Sequence, residues 1–169
     1  SIFANAGVTI LGLIYIGFPL YLLLQLHQMT LGGWLIVWLI PITWFCDIGA
    51  YFVGSAIGKH KLCPTISPGK TIEGLIGGII AALLAGSTVW WILNQRGIYL
   101  GFNFFTNLWL GLVITCIGVL GDLAESVLKR QAGVKDSGNT YTGHGGMLDI
   151  IDSLLFTVPS FYYILQFLL

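Results

Sequence analysis

The chain has 169 residues, of which 56% are hydrophobic and only 8% charged, against about 25% charged in an ordinary soluble domain. Its mean hydropathy of +0.89 excludes water as the main solvent, and the length suits a single domain. Seven Lys and Arg balance seven Asp and Glu, and no basic stretch is long enough to track a phosphate backbone, which excludes a nucleic-acid partner.

A transmembrane helix needs about 20 mostly apolar residues to cross roughly 30 Å of hydrocarbon. The first such window is 7–27. The first lysine is Lys59, so the amino terminus lacks the cationic flank of a cleavable signal, and the window is read as a retained helix. The abrupt start at Ser1 leads us to expect a fragment of a longer chain with further helices in front. Gly32 and Gly33 separate this window from a second at 33–53, which carries Asp47. Turn-forming residues over 54–68 follow, then a third window at 74–94, where Gly74 and Gly78 form a GxxxG step, with Gly77 beside it, read as a helix-packing device. Windows at 104–124 and 147–168 complete the set, joined by the turn-rich segments 94–103 and 133–146.

The predicted fold is therefore all-α: a polytopic membrane bundle of about five helices forming one domain over 1–169. Residues 1–46 supply transmembrane helices, 47–159 a catalytic region with two polar segments, and 160–169 the end of the last helix. Cys46, Cys63 and Cys116 are odd in number, lack CxxC spacing and lie in or beside apolar runs. Plain packing is preferred to a disulfide or a zinc site.

Thirteen of the fourteen charged side chains lie between Asp47 and Glu73 or between Asp122 and Asp152, with Arg96 the exception. The connections in those two islands carry Lys59, Lys61 and Lys70, and Lys129, Arg130 and Lys135. By the positive-inside rule both face the cytoplasm, and helix counting agrees, placing the amino terminus inside and the carboxyl terminus outside. Trp90, Trp91, Tyr99, Tyr162 and Tyr163 fall near the expected interfaces, as aromatic belts require.

Asp47, Asp122, Glu125, Asp149 and Asp152 lie in or at the ends of membrane windows, where an acid costs about 2.5–3.5 kcal/mol at the helix centre. Asp122, Glu125, Ser126 and Lys129 share one helical face, and Asp149 and Asp152 repeat the three-residue step. Two acid-bearing faces meeting near a membrane surface would suit a hard cation such as Mg²⁺, which takes a few carboxylates plus water and substrate phosphates. The plainer reading pairs the acids with Lys129, Arg130 and Lys135. Acids and cations facing one compartment also suit a metal-complexed polyphosphate.

The stretch Ser67–Gly74 contains Gly69-Lys70-Thr71 but is no Walker A loop, which needs a glycine where Pro64 stands and a strand in front. Ser67, Lys70 and Thr71 can bind phosphate at the start of the third helix; equally, Ser67 and Pro68 can simply start that helix at the membrane edge. His144, between glycines, reads as a turn residue or as a point where backbone approaches a ligand.

Taken together, Ser126, Lys129-Arg130, Lys135-Asp136, His144-Gly145-Gly146, Asp149 and Asp152 resemble the signature of the phosphatidate cytidylyltransferase family. Asp47, Ala50-Tyr51, Gly54, Gly58-Lys59, Ser67 to Thr71 and Glu73-Gly74 resemble the segment that precedes it, so the similarity covers about 47–159. Three positions depart from the family pattern: Ile150 stands where an arginine is usual, and Tyr141 and Thr142 where an aliphatic residue and a proline or glycine are usual. The loss of that arginine raises the alternative of an altered or inactive relative.

The resemblance implies transfer of a cytidylyl group from CTP to phosphatidic acid, with Mg²⁺ required, a second cation left open, and a homodimer expected. It implies that Asp122 and Asp149 hold metal, assisted by Asp136 or Asp152. Lys129, Arg130, Lys135 and Lys70 would then bind the phosphates, with His144 in the catalytic set. Ser67, Thr71, Glu73 and Ser126 are assigned to substrate binding. A CTP-dependent polyprenol or phytol kinase is the nearest competitor, disfavoured by the His144-Gly145-Gly146 ending with Asp149 and Asp152. A transporter predicts polar residues through the depth of several helices, whereas helices one, three and five are nearly free of ionisable groups at their centres.

Overall fold

A computed structural model describes residues 2–134, 137 and 147–168, with the side chains at 2–5, 147, 149 and 150 outside that description. Five helices account for most of it: α1 (Ile2–Gln28), α2 (Gly32–Ile57), α3 (Ile72–Gln95), α4 (Phe104–Gln131) and α5 (Met147–Leu168). All five are long and apolar enough to cross a membrane, and the chain is a polytopic helical membrane protein. Large apolar side chains such as Val8, Leu13, Leu84, Leu120 and Phe167 point outward, as expected where hydrocarbon rather than water surrounds the bundle.

The interior is built around Trp38, which is fully buried with Leu35, Leu39, Ile42, Leu110, Ile114, Phe161 and Leu165. The Trp38 ring stacks on Phe161 at 5.2 Å and meets Phe102 edge-on at 5.4 Å. Its Nε1 donates to Asn107 Oδ1 (2.8 Å), and Asn107 Nδ2 donates to Ser87 Oγ (3.2 Å). This short chain joins α2, α3 and α4 through polar atoms that have no water to turn to, so each bond made spares a desolvation cost. Asn107 lies about 22 Å along α4 from Asp122, at 1.5 Å per residue, so this network braces the end of the bundle remote from the acids.

Helices α2 and α3 make the most extensive contact, and the GxxxG step is the reason. A Cβ at Gly78 would lie 2.7 Å from the Cys46 carbonyl oxygen, and one at Gly74 would lie 2.8 Å from that of Ala50. Only hydrogen fits at either position, and the two backbones close together as small residues allow in membranes.

Helix α4, with 28 residues, spans about 42 Å, longer than the roughly 30 Å hydrocarbon layer. The excess is taken up by tilt or by turns that extend past the apolar layer.

Several boundaries differ from the sequence reading, α1 beginning at Ile2 ahead of the window 7–27. Helix α2 continues to Ile57 and α4 to Gln131, several residues past the apolar windows. More importantly, the segment before α3 forms a hairpin, β1 (Lys61–Cys63) antiparallel to β2 (Ser67–Thr71), with Lys61 opposite Thr71 and Cys63 opposite Ser67. Ser67 and Pro68 therefore do not start the third helix. Pro68 is tolerated because in a two-stranded ribbon each strand has an unpaired side. The pairing runs on through Ile72 N–H to the His60 carbonyl (2.9 Å). Thr71 then ends the strand with extended backbone and caps α3, its hydroxyl accepting from Gly74 N–H (3.1 Å).

The close α2–α3 contact predicts a position-specific cost. Gly78→Val should destabilise the purified protein in micelles by about 1–3 kcal/mol through overpacking, whereas Gly12→Val, where nothing lies within 4 Å, should stay within about 0.5 kcal/mol of wild type. Equal effects in an unfolding titration would contradict this packing.

Candidate active site

At the end of the bundle that carries the hairpin, a cavity of about 720 Å³ opens between α2, β1, β2, α3, α4 and α5. Every wall except α3 contributes a group that an apolar environment does not favour. Asp47 comes from α2, Lys61 from β1, Ser67 and Lys70 from β2, Asp122 and Lys129 from α4, and Asp152 from α5. The hairpin sets Lys70 across from α4, and its ammonium forms an ion pair with the Asp122 carboxylate, both side chains being about one-quarter exposed. Residues 52 positions apart are thus joined by charge at the cavity wall.

Asp47 lies within electrostatic reach of Asp122 and Lys70, and Asp152 within reach of Asp122 and Glu125. Asp152 is itself 7% exposed and accepts the Ser153 N–H. Glu125 is 1% exposed and sits one layer behind the wall, with Oε2 2.7 Å from Lys129 Nζ. Tyr15 of α1 adds a buried hydroxyl near Glu125 and Asp152, its ring edge-on to Phe156 at 6.1 Å. Acids with interspersed cations around one cavity form a polar cradle that can take a polyanion together with a cation, because the two added charges compensate each other.

The residues expected from sequence are distributed unevenly. Asp122, Asp152, Lys70, Lys129, Ser67 and Thr71 line the cavity. Thr71 is 5% exposed, and its hydroxyl is already engaged in capping α3. Glu73 stands outside the lining and serves the backbone instead. Its carboxylate accepts the N–H groups of Lys59 (3.1 Å) and His60 (3.2 Å) and pairs with His60 Nδ1 at 2.6 Å. Arg130 turns away from the cavity, its Nε donating to the Ile66 carbonyl at 3.3 Å and tying the hairpin to α4. Ser126, next to Glu125 on α4, is also outside the lining.

Asp149 lies in the first turn of α5, one turn before Asp152, with its side chain outside the described residues. Lys135, Asp136 and His144 lie outside the described residues altogether. Asp47 and Lys61, not in the expected set, line the cavity. Asp47 was visible as an intramembrane acid, whereas nothing local marks Lys61.

Comparison with known proteins gives this geometry a family. A family model described as "Cytidylyltransferase family" matches residues 1–168. The chain belongs to that family.

Among curated relatives it is 42% identical over 164 residues to a phosphatidate cytidylyltransferase of Bacillus subtilis, covering 96% of this chain and 59% of the relative. It is 44% identical over 144 residues to a phosphatidate cytidylyltransferase of Haemophilus influenzae, covering 85% and 49%. A further family relative, the uncharacterized protein YnbB of Escherichia coli, is 40% identical over 146 residues, covering 86% and 47%. The chain thus spans about half to three-fifths of the length of these relatives. The matched region includes all the cavity-lining charges of this cytidylyltransferase-family chain.

Glu73 fixes the link between α2 and the hairpin that carries Lys70. Glu73→Gln should therefore speed tryptic cleavage at Lys59 and Lys61 without altering the helix content measured by circular dichroism. Cleavage at the wild-type rate would show that the Glu73–His60 contact does not hold this segment.

Proposed function

We propose that the chain carries the catalytic cavity of a phosphatidate cytidylyltransferase, which joins the CMP part of CTP to phosphatidic acid and releases pyrophosphate. The observation that carries this reading is the cavity at one end of the bundle, where the Lys70–Asp122 pair stands among Asp47, Asp152 and Lys129. Family membership and two relatives named phosphatidate cytidylyltransferase support it. One substrate is anchored in lipid and the other is a water-soluble polyanion, so a polar cavity at the edge of an apolar bundle is where both can meet. The clustering of cations in the two polar connections supports a cytoplasmic orientation for that end.

Among the described residues no three Asp, Glu, His or Cys side chains are grouped to hold a metal ion. Mg²⁺ does not require such a group, because it is commonly bound by one or two carboxylates plus substrate phosphates and water. Asp122 and Asp152 line one cavity, and the donor set fits an ion that arrives with the nucleotide; Asp149, one turn away on α5, is the further proposed ligand. When bound, the ion supplies charge neutralisation and alignment of phosphate oxygens.

The rest of the work falls to the chain's own side chains. With the nucleotide in place, Lys70 exchanges its carboxylate partner for a phosphate oxygen, and Asp122, so released, would be available to hold the ion. Lys129 neutralises phosphate from the α4 side. An oxygen of the phosphatidic acid phosphate attacks the α-phosphorus of CTP, forming the new P–O bond as the bond to pyrophosphate breaks. That nucleophile is already anionic at neutral pH, so alignment and charge neutralisation matter more than a strong base.

CTP labelled in its α-phosphate tests the reading directly. In lipid micelles with Mg²⁺, label should enter the lipid fraction, whereas a lipid kinase would leave it in soluble CDP. Asp122→Asn should lower turnover on the order of 10²-fold, as loss of a preorganised electrostatic group does. Lys70→Met should act chiefly by raising the KM for CTP. Wild-type turnover in folded Asp122→Asn protein would reject the assignment.

A further inference from the structure

The mechanism leaves one buried charge without a task. Glu125 is the most buried ionisable side chain among the described residues, at 1% exposure, and it does not line the cavity. Its Oε2 lies 2.7 Å from Lys129 Nζ, while Lys129, with its side chain 18% exposed, does line the cavity. An acid placed only to stabilise a helix through an i,i+4 pair would sit on a solvated face, where such pairs are ordinarily found. Here the acid is inside the protein and the base is at the wall. A carboxylate in that position persists only if it is paired.

The neighbouring charges explain why the pairing matters. The Lys129 ammonium rides on a flexible four-carbon stem, and Asp122 and Asp152 line the same cavity. A lysine free to move would settle on either acid, removing a cation from the phosphates and an acid from the site. We propose that Glu125 is a positioning residue: its buried carboxylate draws the Lys129 head back against α4. Lys129 is thereby kept as a phosphate-facing cation instead of a counterion for Asp122 or Asp152. Glu125 touches neither substrate nor reacting atoms. Tyr15, with its buried hydroxyl beside Glu125 and Asp152, extends the same cluster to α1. The inference rests on the proposed role of Lys129 in phosphate binding.

A double-mutant cycle separates the two. CTP affinity is measured by calorimetry in micelles with Mg²⁺ and no lipid acceptor, for wild type, Glu125→Gln, Lys129→Gln and the double variant. Melting of each variant reports its folding. Lys129→Gln should weaken CTP binding about tenfold and Glu125→Gln about fivefold, and the double variant should bind within twofold of Lys129→Gln alone. In turnover assays Glu125→Gln should raise the KM for CTP more than it lowers kcat, a split that general loosening of the fold would not produce.

If the two losses multiply, Glu125 does not act through Lys129 and the inference is overturned. If Lys129→Gln weakens binding while Glu125→Gln leaves it at wild-type strength, the inference fails and the proposed function stands. If Lys129→Gln binds CTP as wild type does, the phosphate-binding role of Lys129 fails and takes the inference with it. Should Glu125→Gln not fold, Glu125→Asp serves: it keeps the charge but withdraws the carboxylate by one methylene, and CTP binding should weaken about threefold, with wild-type affinity overturning the inference.

Discussion

A charge in an apolar surrounding must be neutralised by something, and that constraint organises the polar end of this bundle. Asp122 is held by Lys70 and Glu125 by Lys129. The first pair reaches across the cavity from the hairpin to α4, so the position of the hairpin and the state of the site are one electrostatic problem. Ion pairs of this kind add little net stability, because desolvation offsets attraction. Under the proposed function they are stored compensation for ligands of opposite sign: an incoming phosphate would compete for the lysines, and an incoming cation for the acids.

The rest of the fold keeps that end in register through contacts made outside the cavity. Glycines on α3 let it close against α2, which carries Asp47. The Trp38–Asn107–Ser87 chain locks α2, α3 and α4 together at the far end. Arg130 ties the hairpin to α4 through the Ile66 carbonyl. These contacts are made by side chains the chemistry does not consume, which leaves the cavity-lining groups able to exchange partners.

Much of this was legible in the sequence, and for physical reasons. Five apolar windows map onto five helices because hydrocarbon thickness fixes a minimum length that few other structures meet. Asp122 and Asp152 could be singled out because an acid in such a window is costly. The hairpin was not legible: strands of three and five residues around a proline carry no periodic signal, and their pairing depends on where α2 ends and α3 begins. Arg130 looked like a phosphate ligand beside Lys129, yet adjacent helical residues point about 100° apart, and one meets the cavity while the other meets the hairpin. The inward burial of Glu125 likewise depends on α1 and α5, which local spacing does not encode. The roles assigned to Lys135, Asp136 and His144 belong to residues outside those described.

The central claim is that acids from α4 and α5 serve one cation together with the nucleotide. Electron paramagnetic resonance of Mn²⁺, titrated with CTP into the protein in lipid nanodiscs, tests it without relying on turnover. The account predicts a bound-Mn²⁺ signal that appears with CTP and is lost alike in Asp122→Asn and Asp149→Asn. If Asp149→Asn and Asp152→Asn both kept at full strength the signal that Asp122→Asn abolished, the two helices would not share a cation and the account would be wrong.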